Sequence, residues 1–356
     1  MKYAADLVLL VPLLLVYLAN LGESREWARI VTLIFLGAAI LGVFLAGIGS
    51  VLLGASGVLA GTVSGVAAGV PLLIAAGLSL ALLFEPVRAP LARLMPIRPA
   101  SIVHTTALVL SVLLIGLQVA TQLGTDVLAA AAKGPALTSL DLLLQELPFL
   151  LAAIIGVGFF TRRGIGEGAR RLGWVRPSLL QVLLALVAAG AFYAFSNGAD
   201  QVGQHLTPGL HDKVGVATQR LFGGLSNPLG IATLALSAGI AEEALFRGAL
   251  QPRLGIPFVA LLFTSVHSQY GISLDALTVF ILAIGLGLIR RYANTTASTI
   301  CHVTYNALVG VSLAGVYLAA GIAVEALLAL ALLFFYLRAR RRPLVAAPVA
   351  AEEARN

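Results

Sequence analysis

Long apolar runs broken by short basic clusters set the rhythm of this chain. Nine runs, at residues 4–21, 102–122, 139–160, 178–196, 228–250, 254–267, 274–289, 297–318 and 320–337, each read as one crossing of a bilayer, which takes about 20 helical residues. Between Ile30 and Phe84 there is no Asp, Glu, Lys or Arg at all. Three tight spans joined at glycine-rich turns fit the length of that stretch. The pattern therefore predicts an all-α, polytopic transmembrane helix bundle of about twelve spans, or ten to eleven if the uncharged stretch holds fewer.

The basic residues give the runs a direction. Arg88/Arg93/Arg98, Arg162/Arg163/Arg170/Arg171/Arg176, Arg290/Arg291 and Arg338/Arg340/Arg341/Arg342 sit between apolar runs, where Lys and Arg favour the cytoplasmic side. Two runs separate the first pair of clusters, four the second and two the third, so the parity closes. If Lys2 is also inside, the stretch from Ile30 to Phe84 must hold an odd number of spans, and both termini are cytoplasmic.

Composition agrees with a membrane chain. Of 356 residues, 59% are hydrophobic and 11% charged, against about a quarter charged in soluble domains. The formal net charge of +7 is spent in the topology clusters, so no nucleic-acid partner is expected. The lone Cys301 excludes an internal disulfide. The first run lacks a small-x-small cleavage site and reads as a retained span. Residues 197–226, with His205, His211, Asp200, Asp212 and Lys213, are the longest expected non-membrane loop. The chain divides into extra N-terminal helices (1–100), a transmembrane region carrying the chemistry (101–338, its core at 228–318) and a polar, disordered cytoplasmic tail (339–356).

Ionisable side chains inside apolar helices are costly and usually functional. The run 228–250 contains AEEALFR, with Glu242, Glu243 and Arg247. Glu243 and Arg247 are four apart, in the favourable order for an ion pair, while Glu242 is turned about 100° from Glu243. One carboxylate can be anchored while the other stays free. The next run ends in FTSVH, with Phe263 and His267, and a later one contains CHVTYN, with His302 and Asn306 on one helix face. The chain has five histidines, and two fall in membrane runs just after the glutamate pair. A structural role, locking helices together, is the competing reading of each motif taken alone.

The ordered set E-E-x-x-x-R, F-x-x-x-H and H-x-x-x-N resembles the CPBP family, which takes in type II CAAX prenyl endopeptidases and bacterial relatives linked to peptide processing and bacteriocin immunity. The resemblance implies an intramembrane glutamate-type endopeptidase, a hydrolase acting on a membrane-associated protein or peptide. It implies that Glu242 and His267 activate water, that His302 and Asn306 steady the oxyanion, and that Glu243 and Arg247 support them. Peptide hydrolysis needs a base, oxyanion donors and an acid for the leaving amine, which these residue types supply.

Other chemistries find less support. No H-E-x-x-H or G-x-G-D occurs. Gly54-Ala55-Ser56-Gly57 matches the short G-x-S-G of rhomboid serine proteases, with His104 as a partner, but small residues recur by chance in a chain with 37 glycines. Cys301 and His302 are adjacent and diverge around a helix. A non-catalytic scaffold or immunity protein, or a proton-coupled transporter that also draws on Asp141 and Glu146, is the alternative from another class. No cofactor is expected; if zinc is bound, Glu242, His267 and His302 would be its three ligands, although Asn306 beside His302 suits an oxyanion better than a metal. The Ala/Leu/Arg/Gly-rich composition points to a bacterial cytoplasmic membrane, with the bilayer and a peptide or protein substrate as partners.

Overall fold

The computed structural model describes residues 2–55 and 64–340, with side chains at 11–54 and 64–340. The N-terminal part runs through α1 (Lys2–Gly22), α2 (Glu26–Ala55), α3 (Gly65–Ala81) and α4 (Glu85–Leu91). The middle contains α5 (Ile102–Gly124), α6 (Val127–Lys133), α7 (Ser139–Gly156), α8 (Ile165–Leu172), α9 (Leu179–Leu206) and α10 (Pro208–Phe222). Then α11 (Pro228–Glu242) passes without a break into a π-helical segment, Glu243–Leu250, and α12 (Gln251–Leu254). The chain continues through α13 (Ile256–Val266), α14 (Leu274–Tyr292), α15 (Thr295–Val311) and α16 (Gly315–Arg340). No β-strand occurs among the described residues, as the apolar runs predict.

The span count is lower than expected. Six helices among the described residues are long and apolar enough to cross a membrane, or up to seven if the bent pair α3–α4 is one span. They fit an integral membrane protein, but the described residues of the uncharged stretch form two helices where the pattern suggested three. The reason is that α2 is 30 residues long, and Gly47, Gly54, Gly65 and Gly69 lie where α2 and α3 touch. A Cβ at Gly69 would lie 2.5 Å from Val51 Cγ2 and 2.6 Å from the Gly47 carbonyl oxygen, so only hydrogen there lets α3 lie against α2. Several C-terminal runs are also too short: α13 has 11 residues, about 16 Å of rise against a hydrocarbon core of about 30 Å.

The segment 197–226 is helical rather than a loop. α9 continues to Leu206, Pro208 opens α10, and Val214 and Ala217 pack with Leu128 of α6 and Tyr270. Hydrogen bonding explains the change, since a polar connection of this length leaves many backbone groups that helix formation satisfies. Together α6 and α10 form a small cap beside the turn that follows α13. The tail beyond Arg340, and Ser56 and Gly57 of the short serine motif, lie outside the described residues.

One core joins the two halves. Leu15, Leu36, Ile40 and Leu82 pack with Leu108, Val109, Phe246 and Phe263, so the N-terminal helices cover the same apolar centre that carries the motif helices.

Candidate active site

Three elements bring the motif residues together at comparable depth. α13 starts after Gly255, whose φ of +79° is a backbone turn that glycine makes without strain, and ends at His267. α15 is opened by Asn294, whose side chain accepts from the Ala297 N–H at 2.8 Å. α12 is held at the same end by Arg253, which donates to the Gly156 carbonyl at 3.1 Å. Counted from this arginine-rich end at 1.5 Å per residue, Glu242, His267 and His302 all lie roughly 10–17 Å inside.

α11 and α15 cross closely because Gly239 faces Val303. A Cβ at Gly239 would sit 2.5 Å from Val303 Cγ2 and 3.1 Å from its backbone nitrogen. One turn beyond this contact the helix becomes π-helical at Glu243. Such segments cluster at functional sites because they re-aim side chains within a continuous helix.

Glu243 and Arg247 pair as expected, with Nη1 to Oε1 at 3.1 Å and both side chains buried. Arg247 also donates to the Ala283 carbonyl at 3.3 Å and lies over the Phe263 ring, 4.3 Å from its centre. Glu243 does more than close an ion pair: His302 Nδ1 donates to the same Oε1 at 3.0 Å. The pair thereby fixes the ring orientation of His302, a link that the residue spacing did not reveal.

His302 Nε2 points to Glu242 Oε2 at 3.7 Å, and His267 Nε2 points to Glu242 Oε1 at 3.8 Å. His267 Nδ1 lies 2.8 Å from the Phe263 carbonyl oxygen; a carbonyl only accepts, so Nδ1 carries the hydrogen and a neutral His267 presents a lone pair on Nε2. Phe263 and Tyr270 flank its ring, at 4.4 Å and 6.3 Å between centres. Glu242 is buried, and its Oε2 has no hydrogen-bond partner among the described residues. Glu242 thus stands between two imidazoles at distances slightly too long for direct hydrogen bonds, the separation at which a small polar molecule can be shared.

Asn306 lies one turn beyond His302 on α15 and is partly exposed. The remaining candidates stay apart or take structural roles. Asp141 forms a capping box with Thr138 at the start of α7. His104 Nδ1 accepts from the Arg98 backbone N–H at 3.0 Å, and Cys301 is buried among apolar neighbours. The three side chains named for zinc surround one point, yet no group of three His, Cys, Asp or Glu residues among those described is arranged to hold a metal ion. A residue that the motifs passed over is Glu146 of α7, whose Oε2 is buried without a hydrogen-bond partner among the described residues. Its signal in the sequence is a carboxylate in the register 142, 146, 149, 153, of which Leu142 and Ala153 are buried.

Residues 224–308 match the family described as type II CAAX prenyl endopeptidase Rce1-like. The match supports assigning this region to the CAAX protease family. The match covers about a quarter of the chain and contains all seven motif positions, from Glu242 to Asn306. Such a family implies a membrane-embedded protease. No curated protein and no solved structure matches the chain.

Proposed function

We propose that the protein is an intramembrane endopeptidase that hydrolyses a peptide bond in a membrane-associated protein or peptide. The observation that carries this reading is Glu242, buried between His267 Nε2 at 3.8 Å and His302 Nε2 at 3.7 Å. Water in that gap loses a proton to Glu242, with the His267 lone pair directed at the same water. The oxygen attacks the scissile carbonyl carbon. Charge on the carbonyl oxygen is met by donors from α15, His302 and Asn306. Because His302 Nδ1 already donates to Glu243, Nε2 donates only in the doubly protonated ring, a form that carboxylates at 3.0 and 3.7 Å accommodate. The Glu243–Arg247 pair keeps that ring in place. No metal enters this scheme, and the amide side chain of Asn306 supports it, being a good donor and a poor zinc ligand.

Two measurements on purified, full-length protein test the reading. Glu242→Gln should lower turnover of a cleavable peptide by about 100-fold or more while the protein still inserts and keeps its thermal stability; wild-type turnover in that variant would sink the proposal. A strong chelator should leave wild-type turnover unchanged. Loss on chelation with recovery on stoichiometric zinc would instead make His267 and His302 ligands.

A further inference from the structure

Glu146 is a carboxylate of the site region that the proposed scheme leaves unused. Three contacts along the helices define its position. At the start of α7 the Leu137 N–H donates to the Leu221 carbonyl at 2.9 Å, and Arg220 Nε donates to Gly134 at 2.8 Å. In the middle the Phe149 ring packs edge-on against Phe246, 5.8 Å between centres. At the end Arg253 donates to Gly156 at 3.1 Å. α7 and the α11–α12 helix therefore run parallel and side by side.

One turn back from Phe149 is Glu146, and one turn back from Phe246 are Glu243 and Glu242. The register puts Glu146 at the level of the glutamate pair, on the α7 face that carries buried Leu142 and Ala153. Its Oε2 is shielded from solvent and unpartnered among the described residues, as is Oε2 of Glu242. The two carboxylates repel each other electrostatically. Glu243 is already committed to Arg247 and His302, so it offers Glu146 no relief.

Two carboxyl groups at one level between packed helices, each with an oxygen shielded from solvent and unpartnered among the described residues, suit a shared proton. We propose that Glu146 is a second catalytic carboxyl, the acid that protonates the leaving amide nitrogen, on the opposite helix from the base Glu242. This rests on the peptidase reading and deepens it. In the first step water forms a bond to the carbonyl carbon and its proton passes to Glu242. In the second the C–N bond breaks, and the nitrogen takes the proton of the Glu146 carboxylic acid. The proton on Glu242 then returns to Glu146 through water as the amine departs. One water is consumed, and both carboxyls end as they began.

The test compares two substrates of one sequence, a peptide and its depsipeptide with an ester at the scissile position, on full-length protein in detergent micelles. An alkoxide leaves with less need of a proton than an amine. Glu146→Gln should lower kcat for the amide by about 100-fold, leave KM within about twofold, and lower ester turnover only a few-fold. Glu146→Asp should recover part of the amide rate, and if Glu146→Gln does not insert, Glu146→Asp must show the same amide-selective loss. Equal losses on amide and ester would mean that Glu146 is structural, and an unchanged amide rate would mean that it is idle; either result overturns the proposal. Glu242→Gln separates this from the underlying reading, since water activation is needed for both bonds. If Glu242→Gln cleaves both substrates normally, or wild type cleaves neither, the peptidase reading itself falls.

Discussion

The α2–α3 contact and the α11–α15 crossing are built by the same device and serve opposite ends. In both, glycine lets two helix backbones approach: Gly47 and Gly69 between α2 and α3, Gly239 against Val303 between α11 and α15. Small residues at such crossings are how helices associate where lipid offers no hydrophobic gain. Around Gly69 the neighbours are aliphatic, and no charge lies between Ile30 and Phe84. One turn past Gly239 the crossing holds Glu242, Glu243, His302 and Arg247 instead. Close approach gives packing in the first case; in the second it also sets carboxylate–imidazole distances, 3.0 Å from His302 to Glu243 and 3.7 Å to Glu242.

That contrast can be broken at several places, with effects of decreasing size. Arg247→Ala strands the buried Glu243 carboxylate, and breaking a buried pair costs about 3–5 kcal/mol. Thermal unfolding should register this, with most activity lost; the double variant Arg247→Ala/Glu243→Gln should recover stability but not turnover, because His302 loses its anchor. Full stability in the single variant would show that Glu243 does not depend on Arg247.

Gly239→Leu should cost about 1–3 kcal/mol through overpacking against Val303 and lower turnover by far more than the stability change, since it pushes α15 away from Glu242. Gly69→Leu should show a similar loss of stability with turnover per folded molecule nearly unchanged. Melting temperature and kcat measured on both variants give the comparison; a parallel fall of kcat in both would mean that the two crossings are not separable.

The smallest effect belongs to the cap. The hydrogen bond from His211 Nε2 to Asp200, at 2.8 Å, holds the histidine above its ordinary range, with the charges of Asp200, Asp275 and Asp212 adding to it. A raised value means that the pair steadies the α9–α10 corner fully below the usual histidine pKa of about 6.5, and that this is lost as pH rises through the raised value. NMR titration of His211 should show the shift and Asp200→Asn should abolish most of it, while peptide turnover near neutral pH changes little. An unshifted His211 in wild type would remove the pair from the account.

What could be read from the residues alone was of two kinds. The absence of charge over long runs dictates helices in an apolar medium, because every backbone N–H and C=O must then be satisfied within its own segment. The few ionisable residues inside those runs mark a candidate site, because their presence there is costly; that Glu242, Glu243, Arg247, His267 and His302 form one cluster was legible for that reason. The pairing of Glu243 with Arg247 followed from helical spacing alone.

Helix lengths, register and partners between distant segments were decided only by the tertiary fold. Glycine has no side chain to declare whether it turns a chain or lets another helix in, so residues 30–84 read as three spans where, among the described residues, α2 and α3 pack together. The polar residues 197–226 read as a loop because nothing local shows that α10 finds α6 to cover its apolar side. The π-helical segment at Glu243 has no composition of its own. The bond from His302 to Glu243 spans 59 positions in the chain, and the contact of Phe149 with Phe246 joins segments separated by α8, α9 and α10. Such contacts depend on the angle and depth at which helices cross, a property of pairs of surfaces that neither segment carries by itself.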